Sequence, residues 1–185
     1  MMKLAIFPLG NPGDKYKKTR HNAARIVCLS LFKGEKGVTK LLSNNNKVDI
    51  ELAIPDTYMN ESGTFVRAFL KNKKNEDLQV SDKVWPIIMY DDKDLPWGQV
   101  KLSYGNSSGG HNGVQSVMDT IGKDFYRIRI GIGDTNIMPI HGEGVVQDYV
   151  MSNITDREMK ILKSNTLHDA VMQCIIKIQN DLYPL

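Results

Sequence analysis

Leu4-Ala5-Ile6-Phe7-Pro8-Leu9-Gly10-Asn11-Pro12-Gly13 is the stretch whose reading decides the fold. Leu4 to Phe7 is a short, uncharged apolar run, the mark of a buried strand, and Gly10-Asn11-Pro12-Gly13 is a turn that stops it and delivers a loop to the sheet's edge. Outward from this strand the pattern alternates. Asn22 to Phe32 repeats apolar residues at helical spacing, Val48 to Ile54 alternates like a strand, Thr64 to Leu70 is helical, Val84 to Tyr90 is β-rich, and Gln99 to Tyr104 alternates again. Val114 to Ile121 reads as helix, Tyr126 to Ile132 as a strand, and Asp156 to Ile178 as a closing helix. This interleaving predicts an α/β chain, a three-layer α/β/α sandwich around a mixed, mostly parallel, twisted sheet. Leu42 to Asn46 reads as a turn, and Asp134 to Gly144, with Pro139 and no periodicity, as a mobile loop.

A chain of 185 residues, 41% hydrophobic, can bury one core without staples, so residues 1–185 read as a single domain. Cys28 and Cys174 lie far apart inside apolar runs, giving neither a disulfide framework nor a zinc-ligand spacing, which fits a cytoplasmic or organellar interior. The first apolar run reaches only Pro8, too short for a secretory signal core or a membrane span. Net charge is +3, but residues 1–40 hold nine Lys or Arg against two acids, while the remainder holds fifteen against nineteen. A polyanionic partner would meet the first part. The alternative is that Lys15, Lys17, Lys18 and Lys36 are ordinary solvated charges. No heptad or apolar repeat marks an interface, so a monomer is expected.

Three clusters can carry chemistry. In the first, the Gly10 to Gly13 turn is followed by Tyr16 and by Thr19-Arg20-His21-Asn22 at the start of a helix. A neutral His21 takes a proton from water if a carboxylate holds its other nitrogen, and Asp91, at the end of the β-rich run, is the partner within reach along the same sheet edge. The competing reading makes His21 a capping or polar loop residue. In the second, Pro55-Asp56-Thr57-Tyr58-Met59-Asn60-Glu61-Ser62-Gly63 sets an uncharged amide and a thioether beside a helix start, suited to holding a peptide or ester carbonyl, or else simply a cap with Met59 in the core. The third, Gly105 to Gly113, is glycine-dense ahead of a helix and lacks the Gly-Lys-Ser of a nucleotide loop. Gly105-Asn106-Ser107-Ser108-Gly109 formally matches a nucleophile elbow, which would make Ser107 a nucleophile served by Asp134 and His168. Asp91, Asp92 and Asp94 raise a magnesium site, but Lys93 sits among them and Leu95-Pro96 closes the run like a turn; no metal and no cofactor are expected.

Taken in order, these clusters resemble the bacterial-type peptidyl-tRNA hydrolase family. Five blocks carry the resemblance: Gly10-Asn11-Pro12-Gly13 with Tyr16 and Thr19 to Asn22; Met59 to Gly63; Asp91 to Pro96; Gly109-Gly110-His111-Asn112-Gly113; and Arg127-Ile128-Arg129-Ile130-Gly131-Ile132-Gly133. The resemblance runs from about Lys3 to Val150 and implies hydrolysis of the ester between a peptide and tRNA, by a water that His21 activates and with no covalent intermediate. It implies Asp91 as the carboxylate orienting His21, Asn11 beside them, Met59, Asn60, His111 and Asn112 as substrate contacts, Tyr16 lining the cleft, and Lys101 and Arg127 holding tRNA phosphate. The partner implied is peptidyl-tRNA, the role recycling of tRNA from stalled translation. The chain departs from the pattern at Ser103, where a second basic residue is usual, at Pro8, and at Asp134-Thr135 after Gly133. A non-catalytic RNA-binding relative is the alternative, because a fold does not guarantee an activity.

Overall fold

The computed structural model describes residues 3–33, 37–43, 46–75, 84–134 and 140–182. The elements in order are β1 (Lys3–Pro8), α1 (Ala23–Leu31), β2 (Gly37–Ser43), β3 (Asn46–Leu52), α2 (Ser62–Asn75), β4 (Val84–Pro96), β5 (Val100–Tyr104), α3 (Asn112–Ile121), β6 (Tyr126–Gly133), α4 (Glu143–Met151), α5 (Asp156–Leu162) and α6 (Asn165–Leu182). They form one six-stranded sheet in the order β2-β3-β1-β4-β6-β5. The four central strands are parallel, and the edge strands β2 and β5 run antiparallel to their neighbours. The sheet is thus mixed and mostly parallel, as expected.

Both faces of β1 are covered, which is why its sequence is apolar without alternation. Leu4 and Ile6 face a layer built from α1, α5 and α6, where they meet Val27, Leu162, Val171 and Ile175. Ala5 and Phe7 face the opposite layer with Val66 of α2 and Val114 and Val117 of α3. The Phe7 ring meets Phe65 and Phe69 edge-on at centroid separations of 6.4 and 5.2 Å. From β1 the chain moves through α1 toward β3, then returns through α2, on the other face, to β4. The strand order therefore reverses between β1 and β4, and an α/β sheet opens a crevice at such a point, outside the carboxyl ends of the strands.

Four expectations need correction. Edge strand β2 pairs with β3 through residues first read as a turn: Leu42 lies opposite Lys47 and Ser43 opposite Asn46, while Asn44, Asn45 and Lys36 lie outside the described residues. β4 does not end at Tyr90, because β6 continues to supply partners for Asp91 and Asp92 and, after a register shift, for Pro96. Within Asp134 to Gly144, residues 135–139 lie outside the described residues, and Glu143 and Gly144 already belong to the helix α4. The single closing helix is two: Lys163 ends α5, and the Ser164 hydroxyl accepts from the Leu167 N–H at 3.3 Å, starting α6.

Candidate active site

His21 sits in a single 3-10 turn, Arg20–Asn22, that runs directly into α1. The backbone ahead of it is tied to the link between α4 and α5. The Arg20 N–H donates to the Ser152 carbonyl at 3.0 Å and the Ile154 N–H to that of Lys18 at 2.7 Å. Nη2 of the Arg20 guanidinium donates to both carboxylate oxygens of Glu158, at 2.8 and 3.1 Å, and the group stacks on Trp97 and Tyr149. His21 therefore leaves a backbone anchored from outside its own helix.

Asp91 comes from β4, just past Met89, the residue opposite Pro8 at the last rung of the β1–β4 ladder. Beyond that rung β1 has turned away, so the carboxylate stands in the crevice. His21 Nδ1 lies 3.0 and 2.9 Å from its two oxygens, and His111 Nε2 lies 3.0 Å from Oδ1. The tautomers follow from the partners. The Val114 backbone N–H donates to His111 Nδ1 at 3.2 Å, so the proton of His111 is on Nε2 and is given to Asp91. His21 likewise gives its Nδ1 proton to the carboxylate, which leaves Nε2 as the basic atom. Burial pushes His21 down, but the charge and hydrogen bond of Asp91 outweigh it and hold the imidazole above its ordinary pKa. Burial would raise Asp91; the two histidines reverse this and keep it far below the usual carboxylate range.

Among the described residues, His21, Asp91 and His111 bring metal-ligand atoms within 4.8 Å of one another. A cation bound to His111 Nε2 would force that ring's proton onto Nδ1, against the Val114 N–H. A metal-binding histidine normally turns its second nitrogen to an acceptor, and this one faces a donor. The chemistry of the donor set is therefore that of one carboxylate shared by two imidazole N–H groups. The magnesium reading also fails on its partners, since Asp92 is taken by Arg129 at 2.5 Å and by the Asp94 N–H at 2.9 Å.

Asn11 is fixed on three sides. Its N–H donates to Asn22 Oδ1 at 2.8 Å, its carbonyl accepts from Asn22 Nδ2 at 3.0 Å, and its own Oδ1 accepts from the Met59 N–H at 2.9 Å. What Asn11 can offer the crevice is consequently its Nδ2, a donor. The turn and the second cluster are thereby one unit, although they are far apart in sequence.

These groups stand in a cleft of about 1100 Å³ lined by Asn11, His21, Met59, Asn60, Asp91, His111 and Asn112 among others. Met59 is buried, while Asn60 and Asn112 are exposed to the opening. The cleft also has walls for which the sequence suggests no role: Tyr58, within the second cluster, on one rim, and Val146, Val150 and Met151 of α4. The sequence signal for α4 is weak because the helix is only nine residues long.

Two candidates stand elsewhere, and a third lies beside the cleft. Tyr16 does not line the cleft; its ring packs edge-on against that of Tyr58 at 6.3 Å and supports the rim from behind. Arg127 is 0% exposed, lies over the Phe125 ring and donates to the Ser107 carbonyl at 2.6 Å, so it is not presented to a phosphate in this structure. It holds the Gly105 to Gly110 loop instead. Arg129, on the same face of β6, does line the cleft, and Lys101 stands exposed opposite it in β5. Alternation cannot separate Arg127 from Arg129, since both are odd-numbered; only the loop lying across the first distinguishes them. The elbow reading of Ser107 also fails, because α3 begins at Asn112 instead of directly after the serine, and His168 is not in the cleft lining.

A family model described as peptidyl-tRNA hydrolase matches residues 5–183. A peptidyl-tRNA hydrolase of Sulfurihydrogenibium sp. is 40% identical, over 94% of this chain and 89% of its own length. One of Fervidobacterium nodosum is 39% identical, over 86% and 81%. The solved structure of the Acinetobacter baumannii peptidyl-tRNA hydrolase superposes with a TM-score of 0.70 at 28% identity, covering 96% of this chain and 89% of that one.

Proposed function

The chain belongs to the peptidyl-tRNA hydrolase family, and we propose that His21, Asp91 and Asn11 carry the hydrolysis of the ester joining a peptide to tRNA. The observation behind this reading is the His21–Asp91 contact, 2.9 Å at its shorter arm, on the floor of the cleft. With Nδ1–H held by Asp91, His21 Nε2 takes a proton from a water as its oxygen attacks the ester carbonyl. Charge then develops on the carbonyl oxygen, where the Asn11 Nδ2 donor stabilises it. Collapse of the tetrahedral intermediate breaks the bond to the ribose oxygen, which receives the proton from His21. The buried Asp91 stabilises the transient imidazolium. No step calls on an enzyme nucleophile or a metal.

Asn60 and Asn112, exposed at the cleft, contact the peptide and the tRNA end through uncharged amides, which suits indifference to peptide sequence. Met59 forms an adaptable apolar wall, and His111 positions Asp91. Lys101 and Arg129 take the phosphate role first assigned to Lys101 and Arg127. The protein acts as a monomer in the cytoplasm. Among the described residues no helix is long and apolar enough to cross a membrane.

The test is release of an N-blocked aminoacyl group from tRNA by the purified protein, with EDTA present throughout. Wild type releases it, and His21→Ala falls by several orders of magnitude while remaining folded. Comparable rates from the two proteins would overturn the assignment of the base. Loss of wild-type activity in EDTA, restored by a divalent ion, would overturn the metal-free scheme.

A further inference from the structure

Behind the cleft, Arg25 in the first turns of α1 reaches across to two separate loops. Its Nη2 donates to the Gly10 carbonyl and to the Pro55 carbonyl, both at 2.6 Å, and its Nη1 to the Asn11 carbonyl at 3.1 Å. Gly10 and Asn11 belong to the turn after β1, whereas Pro55 starts the segment that leads to Met59 and Asn60. Only a planar guanidinium carries enough fixed donors to serve three carbonyls at once. Nearby Asp56 compensates the cation, whose desolvation lowers its pKa.

The approach is close enough to dictate a neighbouring residue. A Cβ at Gly10 would lie 2.8 Å from Asn22 Oδ1 and 3.0 Å from Arg25 Nε. Together with the Asn22 contacts and the Met59 N–H on Asn11 Oδ1, the guanidinium closes a ring: turn to Arg25, Arg25 to Pro55, Pro55 along the chain to Met59, and Met59 back to the Asn11 side chain. One wall of that ring faces a separate crevice of about 260 Å³ lined by Asn11, Arg25 and Pro55, on which the catalytic groups His21 and Asp91 do not border.

We infer that Arg25 is a positioning residue for the hydrolysis: by clamping the Gly10, Asn11 and Pro55 carbonyls it aims Asn11 Nδ2 at the carbonyl oxygen of the ester. This rests on the reading of Asn11 as the donor to that oxygen. Its effect on the chemical step runs through Asn11 and not through the base, since Arg25 bonds neither member of the His21–Asp91 pair.

The experiment is a double-mutant cycle on kcat with Arg25→Met, Asn11→Ala and the double variant, each first checked for a cooperative thermal transition. Arg25→Met alone should lower kcat by about tenfold, the cost of a misplaced transition-state donor, with KM changed less than about twofold. In the Asn11→Ala background the same change should cost less than about twofold, because the group it aims is gone. The acid limb of the pH–rate profile should stay where it is in wild type. Equal losses in both backgrounds, or a loss carried in KM, would overturn the inference and leave Asn11 untouched. Full kcat in Asn11→Ala would instead overturn the role of Asn11, and with it this route, without bearing on His21. If Arg25→Met does not fold, Arg25→Lys, which keeps the charge and loses the span, goes through the same cycle with the same outcomes.

Discussion

At the scale of the residue, the behaviour of His21 is set by a contest between burial and a carboxylate. Burial opposes the imidazolium, Asp91 favours it, and Asp91 prevails. A base must be neutral to act, so kcat/KM should fall as the pH drops through a His21 value raised above the ordinary ~6.5. Asp91→Asn removes the charge and leaves the burial, so the acid limb should move to lower pH than in wild type. The rate on the plateau should fall as well, on the order of 10³–10⁴-fold, because the ring loses the partner that fixes its tautomer. A pH–rate profile of the two proteins checks both, and an unmoved limb would mean that some group other than His21 governs it. His21 and Asp91 were legible as candidates because imidazole and carboxylate are the residue types that water activation needs. The second histidine on the same carboxylate was not, since the Val114 N–H that fixes its tautomer is a property of a helix start in space.

At the scale of the element, several motif residues prove to serve packing. Gly63, in the block Met59 to Gly63, lies where α2 crosses α3: a Cβ there would sit 2.0 Å from the Ser116 carbonyl oxygen and 2.1 Å from Thr120 Oγ1. The Gly63 N–H donates to Ser116 Oγ at 3.0 Å across the same contact. Gly63→Ala should therefore destabilise the fold by about 1–3 kcal/mol through overpacking against backbone. Urea unfolding checks this, and an unchanged midpoint would show that the helices separate without cost. Helix starts with side-chain caps, such as Thr155 ahead of α5 with Glu158 in its first turn, are readable because the signal is local. The extension of β4 through Asp91 and Asp92 is not, because polar residues with little strand preference stay extended only while β6 pairs with them. Edge strand β2 escaped for the same reason: β3 provides its partners.

At the scale of the whole molecule, the placement of Lys101 makes a prediction about the proposed phosphate contacts. Lys101 is exposed and directly across from Arg129, while Arg127 lies beneath a loop. Lys101→Ala should weaken tRNA binding alike for different tRNAs and reduce the slope of log affinity against log salt by about 1. Binding isotherms across a salt series measure this, and an unchanged slope would remove Lys101 from the phosphate contacts. The sequence by itself determined the α/β class, the buried character of β1, the three chemical clusters and their resemblance to one family, because periodicity and residue type are local quantities that survive without coordinates. Tertiary structure alone decided that Asn11 presents a nitrogen to the cleft, that Arg129 reaches it while Arg127 does not, and that Arg25 joins two loops. Each of those depends on which distant backbone groups satisfy a given polar side chain, and that is settled only when β1, β4 and the helices on either face are brought together.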